Sequence, residues 1–486
     1  MSELFSSPIN ITSLPFAVFV IVTFLLYYAF PRQQVLILLG ASYLFYLTWD
    51  WRFVLVLLLV TVSNYLIAHR LEYPHRAKSN LAKRFLWLGL SLNLLPLFLF
   101  KYLDYLAWQL SRMLTLPAIS LKIVLPIGLS FYILQGISYL LDVYQGQIAP
   151  SKRPTHFALY LAYFPKLVSG PIERARTFLP QLTEKCIVDN QALAQSLARI
   201  AVGLVRKLVI ANAILASLPS SLFDSPAKFP APDLIFWWIA FVFMIYNDFA
   251  GYTTLVRGVS GLFGIELSEN FRQPFFASGA LDLWNRWHIS LSQWLRDYVF
   301  LPLSRFMLRR KPSGKFLPNI IIPPVVTLLV SGLWHGINPH FLLWGGLTGL
   351  ALAIERLLSL KRPVVRAATA HLPRLSTALR HFAFIMLIAL IIGPPFRLEV
   401  PETISFWSHL FLWGPATLLK VNKILSPLLA FLLSLSLDWG QYRTQDDVFF
   451  LQWPRWAQSL VFAFVILALF LATRAEVGAP FIYQEF

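Results

Sequence analysis

The sequence predicts an all-α, polytopic integral membrane protein. Its composition is the first ground: of 486 residues, 57% are hydrophobic and only 13% charged, and the mean hydropathy is +0.63. A soluble domain is about 45–50% apolar and about 25% charged. The second ground is the arrangement: the excess is gathered into long runs, and basic residues sit in the short connections between them. A spanning helix takes roughly 20 apolar residues, which gives roughly 11 to 13 membrane-embedded segments, some of them re-entrant.

The first runs, 14–30, 35–49, 53–68 and 85–100, are apolar all round. Helices that meet lipid on one face and protein on the other read this way. No Lys or Arg precedes Arg32; a cleavable signal peptide needs a basic start, so the first run is expected as a retained helix. The connection from Arg70 to Arg84 carries Arg70, Arg76, Lys78, Lys83 and Arg84 against Glu72. The positive-inside rule places it in the cytoplasm and, three helices back, the N-terminus outside. Runs 123–141 and 234–246 belong to a different middle third, where Ser130, Gln135, Asp142, Lys166, Glu173, Arg174, Asn247, Asp248, Arg257 and Asn270 break the apolar pattern. Lipid does not tolerate such groups, so they are expected to face a bundle interior or a watered cavity. Prolines 150, 154, 180, 226 and 230 mark helix stops. The later runs are 320–334, 341–353, 382–392, 404–419, 424–437 and 460–472. The basic stretches Arg305–Lys315 and Lys361–Arg380 read as cytoplasmic.

Neither an internal repeat nor a long hydrophilic insertion is visible, so 1–486 is expected to be one membrane domain. Within it, 1–120 reads as scaffold, 121–345 as a core and 346–486 as C-terminal helices. The net charge of +18 would raise nucleic-acid binding in a soluble chain. Here it follows the loops, so membrane lipid is the expected partner and nucleic acid is not. Cys186 is the only cysteine, which excludes an internal disulfide and a cysteine metal cluster. It is read as incidental rather than as a thioester relay.

Two histidines carry the chemical interest. His335 lies in Val330-Ser331-Gly332-Leu333-Trp334-His335-Gly336, at the end of an apolar run. An ionisable side chain at that depth is costly and marks a functional site by default. Desolvation favours its uncharged ring, ready as a general base. A packed core histidine is the competing reading. His288, in Trp284-Asn285-Arg286-Trp287-His288-Ile289-Ser290, opens an amphipathic stretch, Ile289–Met307, that is too charged to span. At the positive end of that helix its imidazole would stay neutral and able to accept a proton; an interfacial histidine among anchoring tryptophans is the alternative. Asp142, Asp248 and Asp297 are too scattered for a metal site, so none is expected. His75, His156, His340, His371 and His381 read as solvated or interfacial, and His409 as structural without polar company. Gly-x-Ser-x-Gly, Walker-type and His-Glu-x-x-His signatures are missing.

Six motifs in order resemble the membrane-bound O-acyltransferase family, in its bacterial branch of alginate-acetyltransferase-like and teichoic-acid D-alanyl-transferase-like proteins. Leu125-Pro126-Ile127-Gly128-Leu129-Ser130-Phe131-Tyr132, with Gln135, is similar to that branch's LPxGxSFYxFQ segment. Phe164-Pro165-Lys166 with Gly170-Pro171-Ile172 resembles FPxxxxGPI, and Asp248-Phe249-Ala250-Gly251-Tyr252 resembles DFxGY. Asn270-Phe271 with Pro274, Trp284–Ser290 and Gly332–Gly336 resemble NFxxP, WNRWHIS and GxWHG.

The resemblance implies a ring of helices around a thin central tunnel. It implies an essential catalytic histidine at His335 and a second signature residue at His288. Asn285, Arg286, Trp287, Trp334, Asp297 and Asp248 are the expected supporting or substrate-positioning residues. The implied protein has no permanently bound cofactor. It takes acetyl-CoA or another acyl thioester from the cytoplasmic side, sits in the bacterial plasma membrane, and hands the acyl group to a separate extracytoplasmic acetyltransferase. The chain after His335 and its closing Pro480-Phe481-Ile482-Tyr483 are similar to the polysaccharide-acetylating members. O-acetylation of an exported polysaccharide such as alginate, or of peptidoglycan, is therefore expected. D-alanyl transfer to teichoic acid is the alternative within the enzyme class. A transporter or channel, the alternative outside it, would show internal symmetry and paired broken helices.

Overall fold

A computed structural model describes residues 8–71, 79–117, 120–184, 186–187, 189–313, 316–360 and 375–474. Parts of the basic connections after Arg70, before Lys315 and after Lys361 lie outside these residues, as do His75, His371 and the closing Pro480–Tyr483. The described chain is built of helices, and its one β-type pairing is an isolated bridge between Phe271 and Trp287. Seven described helices are long and apolar enough to cross a membrane: Trp51–Leu71, Asn80–Met113, Ala231–Gly261, Leu317–His335, Pro339–Ser359, Lys423–Thr444 and Arg455–Ala472. Leu14–Ala29, Gln34–Leu47 and Leu379–Ile392 are shorter apolar helices. Leu460, Phe464, Leu467 and Leu471 leave their side chains exposed along the last span, as a lipid-facing helix must.

The chain packs as two compact units, Met1–Ile200 with Leu255–Ser268, and Ala201–Thr254 with Glu269–Phe486. In the first, Ser13 and Ser79 start the helices Leu14–Ala29 and Asn80–Leu97, their hydroxyls accepting from Phe16 N at 3.3 Å and Ala82 N at 3.1 Å. The Leu129–Tyr144 helix begins after Gly128, whose φ of +77° puts it in the left-handed region. A Cβ there would also strike the Leu167 carbonyl oxygen, so only glycine fits. This helix is buried on nearly every face, which is why its polar residues are tolerated. The helices Trp51–Leu71 and Asn80–Leu97, expected as clean scaffold, carry a reciprocal amide pair. Asn64 Nδ2 donates to Asn93 Oδ1 and Asn93 Nδ2 to Asn64 Oδ1, both at 3.0 Å. Gly136 leaves room for it. Lys166 is fully buried, donates to Gln135 Oε1 and to the Tyr160 carbonyl, and lies over the Tyr160 and Phe178 rings.

In the second unit, Leu317–His335 and Pro339–Ser359 form a tight antiparallel hairpin. A Cβ on Gly332 would strike the Phe341 carbonyl and one on Gly345 the Leu328 carbonyl, so these glycines set the close approach. Pro323 and Pro324 remove two backbone donors inside the first helix, and the Thr327 hydroxyl bonds the Pro323 carbonyl at 2.6 Å. A buried ionic network holds Val421–Thr444 in place. Arg206 donates to Asp438 at 2.5 Å, Asn247 at 3.1 Å and Gln441 at 3.1 Å, while the Tyr246 hydroxyl donates to Asp438 at 2.8 Å. Arg206 and its neighbour Lys207 lie on a π-helical segment, Val205–Ala211.

Three readings need correction. The run 404–419 is not one embedded helix: Val400–His409 stops at His409 and irregular chain follows. His409 does have polar company, its Nδ1 lying 2.9 Å from the Ser405 carbonyl. His156 and His340, expected to be solvated or interfacial, are buried within the protein, and His340 Nδ1 lies 2.9 Å from the Pro395 carbonyl.

Candidate active site

Two of the sequence motifs zip together to place His288. Arg272 N donates to Arg286 O at 3.0 Å, Ile289 N to Asn270 O at 2.9 Å, and Ser290 N to Asn270 Oδ1 at 3.1 Å. Before this junction, the short helix Ala280–Trp284 is fixed from outside, Leu281 N donating to Glu355 Oε2 at 3.0 Å. The junction holds His288 at φ 44° and ψ 53°, a left-handed conformation that few non-glycine residues adopt. Strain of this kind persists where the surroundings over-determine it, often at functional sites. His288 is 2% exposed, and its ring meets Phe249 edge-on at 4.9 Å and faces Trp334 at 6.1 Å. Burial pushes its imidazole down to about 3 from an ordinary 6.5, so the ring is neutral. The expected amphipathic stretch is a broken helix, Ile289–Leu295, a π segment Arg296–Phe300 and then Leu301–Arg310.

His335 is the last residue of the Leu317–His335 helix and is 5% exposed. Its ring is boxed by Trp334 at 4.7 Å, Phe396 at 4.9 Å, Trp344 at 5.4 Å and Phe341 at 6.1 Å. Both histidines line one cavity of about 160 Å³. Apart from tryptophan indoles, its only polar lining side chains among the described residues are these two imidazoles and Thr348; no carboxylate lines it. An apolar cavity of this kind can hold two imidazoles against a small reacting group.

The other expected residues divide. Trp287 lines the histidine cavity, and Trp334 stands in ring contact with both histidines. Asn285 instead lines a second cavity of about 430 Å³, together with Ser292, Gln293, Arg296, Glu355 and Arg356. Trp284 lines both cavities. Arg286 bonds Asp282 at 2.8 Å and lies over the Tyr442 ring. Asp297 accepts from Arg296 at 3.0 Å, and Asp248 is paired with Lys207. Neither aspartate lines the histidine cavity. Sequence reasoning missed Trp344, Phe396 and the Arg206–Asp438 pair. Asp438 was visible as a lone acid just past run 424–437, but its partner lies 232 positions away.

Helices that cross a membrane and a pair of buried imidazoles on one apolar cavity define a multi-pass membrane protein with the means for acid–base chemistry. The chain belongs to the membrane-bound O-acyltransferase (MBOAT) family, whose model matches residues 153–393. It is 33% identical over 406 residues to the probable alginate O-acetylase AlgI of Azotobacter vinelandii, covering 82% of this chain and 77% of that one. It is 31% identical over 360 residues to the peptidoglycan O-acetyltransferase of Helicobacter pylori, covering 67% and 64%. With the teichoic acid D-alanyltransferase of Bacillus subtilis it shares 30% identity over 301 residues, 60% and 72% of the two chains. The protein is therefore an O-acyltransferase, and family membership implies an acyl donor.

Proposed function

We propose that this protein draws an acetyl group from cytoplasmic acetyl-CoA and passes it across the membrane for O-acetylation of an exported polysaccharide or of peptidoglycan. The observation that carries the reading is the pair His335 and His288 on one small apolar cavity. Neutral His335 takes the proton of an acceptor hydroxyl as its oxygen attacks the thioester carbonyl. A neutral His288 ring donates to the tetrahedral oxyanion. Collapse breaks the C–S bond, and the departing thiolate takes the proton from the His335 imidazolium. A general base contributes about 10²–10⁴-fold and an oxyanion donor about 10²–10³-fold. Asn285, three residues earlier, lines the second cavity, so the oxyanion falls to His288. Arg296 and Arg356 of that cavity supply positive charge suited to the donor's phosphates.

Acetyl is favoured over D-alanyl by the lining. A D-alanyl ester carries an ammonium group, and the histidine cavity offers it no carboxylate; a buried charge without a partner is costly. The protein sits in a bacterial plasma membrane with its N-terminus extracytoplasmic, a reading that the basic loops support. A separate extracytoplasmic acetyltransferase receives the acetyl group.

Membrane vesicles containing the protein, given radiolabelled acetyl-CoA or a carrier protein charged with labelled D-alanine, test the reading. Label in the polymer fraction from acetyl-CoA alone supports it. Label from the D-alanyl carrier alone overturns it in favour of the teichoic-acid type of reaction.

A further inference from the structure

Part of the histidine cavity's wall comes from just past the stretch that the family model matches. The family model ends at residue 393, and Phe396 lies on the short Pro394–Arg397 turn that follows. Its ring stands edge-on to His335 at 4.9 Å and to Trp344 at 5.2 Å. The turn is held on both sides. Phe396 N donates to Gly393 O at 2.9 Å, and the Pro395 carbonyl lies 2.9 Å from His340 Nδ1. The helix that leads into it is anchored where Trp238 Nε1 donates to the Ala389 carbonyl at 3.0 Å. The backbone that carries Phe396 is thus tied down beside the catalytic candidate.

We infer that Phe396 sets the acyl length this enzyme accepts, limiting it to acetyl. The inference rests on the acyl-transfer reading of the cavity. The cavity measures about 160 Å³; an apolar cavity of about 150 Å³ takes one benzene, six heavy atoms. An acetyl thioester brings sulfur, carbonyl carbon, oxygen and methyl, and the attacking hydroxyl brings an oxygen and its carbon. That set matches the space in size. A butyryl group adds two methylenes, and the Phe396 ring occupies room they would need next to His335.

The test compares vesicles containing the wild-type chain, Phe396→Ala or Phe396→Leu, each supplied with labelled acetyl-, butyryl- or hexanoyl-CoA. One methylene against a closed wall discriminates about 10–200-fold, so the wild type is expected to prefer acetyl over butyryl by about 100-fold or more. Both variants are expected to lower that ratio by about 10-fold or more, the alanine variant further. A ratio unchanged in variants that still transfer acetyl overturns the inference. So does an equal loss of all three acyl groups in both variants, which would make Phe396 purely structural. A wild type that accepts no acyl-CoA overturns the acyl-CoA reading itself, and the length inference with it.

Discussion

His288 is the residue at which local conformation and chemistry meet. Its left-handed backbone is forced by the pairing of Asn270–Phe271 with Trp287–Ile289, and its burial keeps the ring neutral. The sequence showed the histidine at a helix start. It could not show the left-handed twist, which depends on a strand-like pairing with residues 17 or 18 positions earlier, nor that burial, rather than a helix dipole, leads the shift. Asn285 lines a different cavity from His288 for a similar reason: it follows the Ala280–Trp284 helix, three residues before His288. The pKa shift has a sign that can be tested. An unfolded His288 titrates near 6.5 and the folded one near 3, so between these values the unfolded chain binds more protons. Its contribution to stability is complete above about pH 6.5 and is lost as pH falls toward 3. The detergent-solubilised protein is expected to lose thermal stability as pH drops from 6.5 to 4, and His288→Asn to flatten that loss. An identical pH profile in the variant would contradict the assignment.

Helices were the most legible elements, because apolar runs of spanning length leave few alternatives. The helix Leu317–His335 matches run 320–334 and ends on the histidine that the sequence singled out. Run 404–419 failed because Gly414 and Pro415 follow His409 and the chain leaves the helix there. What holds the elements together was less legible, since ion pairs in a membrane core join positions far apart in sequence. The Arg206–Asp438 pair fastens the Val421–Thr444 helix to the π segment Val205–Ala211. Arg206→Met leaves the buried Asp438 carboxylate uncompensated and is expected to cost about 3–5 kcal/mol. The double variant Arg206→Met/Asp438→Leu is expected to regain more than half of that loss. Thermal unfolding in detergent measures both, and a double variant no more stable than the single would mean that the charge pair is not what fastens the helix.

For the molecule as a whole, the family was legible in the amino-acid sequence itself, because six short motifs kept their order from Leu125 to Gly336. The two cavities were not, since their walls combine residues from 238 to 396. The basic connections predict an outside N-terminus. In a Cys186→Ser background, a cysteine placed at Pro8 should react with an impermeant maleimide on intact spheroplasts, and one at Lys311 only after permeabilisation; the reverse would invert the topology. The central claim is that His335 is the base of acyl transfer from a thioester donor. Its most direct test is the rate of labelled acetyl transfer from acetyl-CoA in vesicles containing equal amounts of wild-type protein or His335→Ala, with thermal stability measured in parallel. The expected result is a loss of about 10²-fold or more at unchanged stability. Transfer by the alanine variant at the wild-type rate would contradict it.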